Sequence, residues 1–161
     1  SPKHKDNIMH ERFTHIGVGI VENKNGDLIM TQNFIIGIKP MDEKTATADI
    51  LEIINTARSE QKLPPVLVRR TVASAAQKHS KAMNSRGVRI SGNEVKLYSS
   101  DKRRYDSIRS AVLTAGKLED VLQLEACLDV KVDEVGIGAV VNTHDNQPPG
   151  MLWVTIILCE R

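Results

Sequence analysis

His79 and Ser80 stand side by side in this 161-residue chain, and a histidine next to a serine is the first pair to test for nucleophilic chemistry. On a helix, however, consecutive side chains diverge by about 100°, so His79 cannot take the Ser80 proton directly. A lone histidine on an apolar helix face reads as a satisfied, partly buried residue. Glu94, which follows Gly92 and Asn93, reads as an exposed carboxylate at a strand end. Cys127 and Cys159 permit one bridge, but both sit in apolar runs without a neighbouring base, where desolvation raises the thiol pKa and makes it inert. They read as free buried thiols. Neither Gly17-x-Gly19 nor Gly136-x-Gly138 is a phosphate loop, because each lies inside a strand pattern and the third glycine of a dinucleotide site is missing.

The elements that must position these residues follow from periodicity and turn chemistry. Residues 3–9 form a short helix entered through Ser1-Pro2. Residues 13–22 alternate, with Ile16, Val18 and Ile20 marking the expected buried face and His15 facing solvent. Asn23 to Asp27 is a turn signal, and 28–37 is the return strand. Residues 39–47 read as a polar linker. After it, apolar residues recur at helical spacing to about residue 61, and Leu63-Pro64-Pro65-Val66 forces an extended turn. A second helix over 68–86 puts Val72, Ala76, His79 and Met83 on one face and ends at Gly87. An irregular strand is expected over 88–98 and helices over 105–113 and 118–128. Strands over 132–141 and 151–159 close the chain, the last apolar on both faces and therefore central.

One pattern occurs twice. Gly17-x-Gly19 leads through a turn to Thr31, and Gly136-x-Gly138 leads through a longer turn to Thr155. The glycine pairs are 119 residues apart and the threonines 124. One hairpin is therefore repeated, and a repeated ending without a repeated beginning splits the chain into part of one module and most of another.

Composition sets bounds. A chain that is 40% hydrophobic can build a core, whereas 3% aromatic residues and a net charge of +2 give a base-stacking, phosphate-binding surface little to work with. Lys102-Arg103-Arg104 is the densest basic run and reads as a solvated segment. The expectation is no nucleic-acid partner. No apolar run approaches the ~18 residues of a membrane span.

Several segments together resemble the CAP superfamily of cysteine-rich secretory proteins, antigen 5 and pathogenesis-related 1 proteins, in its bacterial form. They are Ser1-Pro2-Lys3-His4-Lys5-Asp6-Asn7-Ile8, Phe13 to Gly19, Thr31-Gln32-Asn33-Phe34, Asn55-Thr56-Ala57-Arg58, Leu63 to Val66, and His79-Ser80-Lys81-Ala82-Met83. The resemblance implies that residues 1–38 are the C-terminal half of one module, 39–47 a linker and 48–161 a divergent second module. It implies an α-β-α sandwich with a mostly antiparallel sheet, and an extracellular or envelope location.

Many members of that superfamily line a central cleft with two histidines and two acidic residues, a set that can hold a divalent metal such as zinc. Only His79 matches a cleft histidine here, with Glu94 as a candidate acidic partner although Asn93 and Glu94 stand in swapped order. The second cleft histidine is replaced by Arg12 and, in the second module, by Lys131, and neither binds a metal. His4 matches a helix-capping position, and it and His15 join His79 only if residues 1–38 pack on the second module. The resemblance therefore implies a non-catalytic binding or scaffold module for a protein, glycan or lipid. The competing expectations are a metal-binding or hydrolytic cleft using His79 and Glu94, and a homodimer that hides the strand edges of the 13–37 hairpin.

Overall fold

The computed structural model describes residues 2–11, 13–38, 41–145 and 147–161, so Ser1 and Arg12 lie outside the described residues. The chain divides into two compact units, Ser1–Gly37 and Ile38–Arg161.

In the first unit a short helix, α1 (Pro2–Ile8), precedes two antiparallel strands, β1 (His15–Glu22) and β2 (Leu28–Ile35). Asn23 builds the turn between them: its Oδ1 accepts the Asn25 and Asp27 amides, and Gly26 takes the positive φ of 83° that the turn demands. The strands are where the pattern puts them. The expected burial is not, because Ile16, Val18 and Ile20 are 52%, 55% and 61% exposed. Alternation marks a face that can be buried, and among the described residues of this unit the only element beside it is the seven-residue α1, whose Asn7 and Ile8 flank Met30, Gln32 and Phe34.

The second unit is a three-layer α-β-α sandwich. Its sheet runs β3 (Leu67–Val68), β5 (Val132–Val141), β6 (Leu152–Glu160), β4 (Ser107–Ala115), with β3 parallel to β5 and the other pairings antiparallel. The run Leu152 to Cys159 is buried without a break, as a central strand covered on both faces must be. Helix α2 (Glu43–Glu60) lays Ala46, Ile50 and Ile54 against Val135, Ile137 and Ala139 of β5. Helix α3 (Arg70–Arg86) lies on the opposite face, packs on β5 and β6, and ends at Gly87 with φ 64°.

Four further expectations are corrected. Helix α2 starts at Glu43, inside the stretch read as a linker, because Asp42 caps it by accepting the Lys44 amide and Ala46 is already core. Residues 39 and 40 lie outside the described residues. The segment read as a helix over 105–113 is β4: Leu113 and Ala115 face the α2 core while Ile108 and Val112 pack on the α3 side. A strand covered on both sides loses its period-2 signature. Residues 88–98 hold a 3-10 turn at Gly92–Glu94 instead of a strand, and 118–128 fold as two 3-10 turns, Leu118–Gln123 and Glu125–Leu128.

Candidate functional site

Helix α3 carries His79 into the sheet, where the side chain is 7% exposed. Both ring nitrogens are engaged. Nε2 lies 3.1 Å from the carbonyl oxygen of Ser91, and Nδ1 lies 3.0 Å from Oγ1 of Thr155 on β6. A carbonyl only accepts, so Nε2 carries the proton, and in the neutral imidazole Nδ1 accepts from the Thr155 hydroxyl. Ser80 Oγ, fully buried, is 2.9 Å from Thr155 Oγ1 and 3.0 Å from the Gly138 carbonyl. With the Thr155 proton committed to His79, the single Ser80 proton is shared between Thr155 Oγ1 and the Gly138 carbonyl. The result is a closed relay, Ser80 to Thr155 to His79 to Ser91, that ties α3 to β6 and to the loop before the 3-10 turn. Ser80 is linked to His79 after all, through Thr155, but no substrate reaches a serine buried in this way.

A cleft of about 290 Å³ opens beside His79, floored by Ala75, Ala82 and Ile90 and ringed by Lys78, Arg86, Glu94 and Lys96. His79 and Glu94 thus line one cleft. Glu94 is exposed and faces three cations, so a divalent ion would meet one carboxylate and one engaged imidazole in a predominantly basic ring. Among the described residues no group of three or more His, Cys, Asp and Glu side chains is placed to hold a metal. This donor set does not fit a divalent ion. Asn93 lines the adjoining cleft with Arg109 and Ser110. His4 and His15 belong to the first unit, where the His15 ring is 2.8 Å from Thr14 Oγ1.

The model of the Cysteine-rich secretory protein family, CAP, matches residues 51–159. The chain belongs to the CAP family. Its fold is similar to that of an outer surface protein from Borrelia burgdorferi, with a TM-score of 0.60 and 12% identity over 76% of this chain and 98% of that one. It is also similar to an extracellular protein with an SCP domain from Bacillus anthracis, with a TM-score of 0.53 and 14% identity over 84% of this chain and 47% of that one. No curated protein matches the sequence significantly.

The largest polar anchor of this CAP module lies outside the cleft. Arg58, completely buried, donates from Nε to the Pro64 carbonyl at 2.8 Å, from one terminal nitrogen to the Cys127 and Asp129 carbonyls at 2.9 Å each, and from the other to Val132 at 3.1 Å. Asn55, one turn earlier, pairs its amide with both the N–H and the carbonyl of Val66. The Asn55-x-x-Arg58 segment therefore fixes the proline turn, the end of the second 3-10 turn and the start of β5. The signal was present in the sequence: Ile50, Ile54 and Arg58 are spaced by four, which puts the arginine on the buried stripe of α2.

A second missed group is Glu134, which accepts from the Tyr105 hydroxyl and pairs with Arg161 and, at 3.7 Å, with Arg104. Burial pushes the Tyr105 hydroxyl up to about 12, aided by its hydrogen bond to Glu134. For Glu134 burial acts upward, but the Tyr105 hydroxyl, Arg161 and Arg104 together hold the carboxyl below its ordinary value. A depressed carboxyl gives stability that is full above the ordinary value of 4.5 and is lost as pH falls through the folded value. Tyr105→Phe is accordingly expected to melt below the native chain at neutral pH, and the gap should narrow as pH falls to 3 in thermal melts. Cys127 and Cys159 are free and buried, and burial pushes their thiols up to about 11 and about 12, as inert core cysteines require.

Proposed function

We propose that this chain is a non-catalytic CAP module that binds or scaffolds a partner outside the cell or at the cell envelope. The observation that carries the reading is the engagement of both His79 nitrogens, which leaves the cleft no free imidazole to ligate a metal or to serve as a base. Ser80 and both cysteines are buried, and among the described residues that line the cleft there is no hydroxyl or thiol. Its basic ring over an apolar floor suits a ligand held by contact and charge. The location rests on family membership and on likeness to proteins described as an outer surface protein and an extracellular protein. Among the described residues no helix is long and apolar enough to cross a membrane.

Titration calorimetry with zinc tests the reading. The native chain, His79→Ala and Glu94→Gln are expected to give the same weak, non-stoichiometric heats. One zinc per chain at micromolar affinity, lost in both variants, would overturn it and favour the metal cleft. The Glu94→Gln arm keeps the test sound where His79→Ala loosens the fold, since Glu94 is exposed.

A further inference from the structure

The cleft beside His79 has one wall on α3 and one on the segment that follows it. On α3, Lys78, Ala82 and Arg86 are spaced by four and share one ridge, so two long cations flank a methyl group and leave a notch between them. The facing wall carries Ile90, Glu94 and Lys96. It is fastened at two points. His79 Nε2 donates to the Ser91 carbonyl at 3.1 Å, and Gly92 lies so close to β4 that a Cβ built on it would stand 2.7 Å from the Ser110 carbonyl oxygen. The relay through His79 thus sets the width of the cleft, and both walls stand ready without a ligand to order them. Lys78, Arg86, Lys96 and Glu94 are all exposed at its rim. Among the described residues none of these four is in an ion pair, the pairs being those of Arg104, Arg109 and Arg161. Three cations against one carboxylate leave the rim a charge of +2 that no described side chain pairs with.

We propose that this cleft binds a phosphate monoester carried on a short apolar group. The inference rests on the non-catalytic reading above and names the ligand class of that same site. Charge selects the head group. A phosphate monoester carries about −1.5 to −2 near neutral pH and offers three acceptor oxygens, which suits three donors with a net charge of +2, whereas a carboxylate brings a single charge. Glu94 works against any anion, and the three cations outweigh it. Ala82 and Ile90 select the body, because an unsubstituted phosphate would leave that apolar floor in water. At about 290 Å³ the cleft lies at the lower end of small-molecule sites, which span about 300–1,000 Å³, so the apolar group is a short chain and not a long acyl tail. Among the described residues lining the cleft there is no hydroxyl, thiol or unengaged imidazole to attack the phosphoryl group, so the ester is held and not cleaved.

The probe is n-hexyl phosphate, titrated at about pH 8, where the ester is fully ionised, into the full ¹⁵N-labelled chain while amide shifts are followed. Inorganic phosphate, hexanoate and hexanol are titrated beside it. Saturable shifts at Ala82, Ile90 and Glu94 are expected, with an affinity at least about tenfold above that for inorganic phosphate, the equivalent of two buried methylenes. Hexanoate and hexanol are expected to bind more weakly than the ester. Lys96→Glu should weaken the ester about fivefold or more, and Glu94→Gln should tighten it about two- to fivefold, the size of one exposed charge pair. Both positions are exposed, so neither variant disturbs the core. The sign at Glu94 separates an anion from a metal, because a cation bound there would be weakened by the same substitution. The proposal is overturned by the absence of saturable shifts at these amides, by equal affinity for inorganic phosphate, hexanoate or hexanol, or by a Glu94→Gln chain that binds the ester less tightly. Release of inorganic phosphate from the bound ester would overturn the non-catalytic reading and leave the ligand class standing, so the two failures are distinct.

Discussion

Arg58→Met is expected to lower the unfolding free energy by about 2–6 kcal/mol, the sum for two buried carbonyl acceptors left without a donor. The substitution removes the donor to four carbonyls, those of Pro64, Cys127, Asp129 and Val132. Two of these bonds are buried outright, and a buried acceptor left without a donor costs about 1–3 kcal/mol. Methionine fills most of the volume but offers no N–H. Arg58→Lys should recover little, since an ammonium on a flexible stem cannot span acceptors that the planar guanidinium fork reaches from three nitrogens. Denaturant titration of the full chain checks both variants. A loss under about 1 kcal/mol for Arg58→Met would mean that the three segments are held by other contacts.

Gly138→Ala is expected to cost about 3 kcal/mol or more, at the upper end for overpacking, and to lower the melting temperature by about 10 °C. The added methyl would lie 2.3 Å from the Ala76 carbonyl carbon, and the obstructing atoms are backbone, so no rotamer change relieves the clash. Helix α3 has to move off the sheet, and the relay through His79, Thr155 and Ser80 stretches with it. Gly19→Ala in the repeated hairpin meets nothing and should leave the melting temperature within about 1 °C of the native value. The pair of variants turns the internal repeat into a measurement, because sequence alone treats the two glycines alike.

The sequence yields most where one element has one clear face. Helix α3 is legible from Val72, Ala76, His79 and Met83, and its end from Gly87, because one side of it is buried and one wet. Strands β5 and β6 and the Asn23 turn are legible for similar reasons. Strand β4 is not: with Leu113 on one core and Ile108 on another, its apolar residues follow no single period. The hairpin face of Ile16, Val18 and Ile20 exposes a different limit, since alternation reports which residues share a face and not whether anything covers it. For the site, spacing brings His79 inward, and resemblance adds Glu94, which does line the same cleft. Neither could supply the Thr155 and Ser91 partners, which lie 76 and 12 residues away and depend on tertiary register. Arg58 was legible in principle from its place on the Ile50 and Ile54 stripe, but an arginine in an apolar row is easily read as surface until its acceptors are known.

The most direct test of His79 as an anchor and not a ligand is the ¹⁵N spectrum of its imidazole in the full chain, recorded in alkaline buffer with and without equimolar zinc. The relay predicts a proton on Nε2, an unprotonated Nδ1 accepting from Thr155, and no change on adding zinc. A proton on Nδ1, or a zinc-induced shift of either ring nitrogen to a metal-bound value, would contradict it and restore His79 to a working metal site.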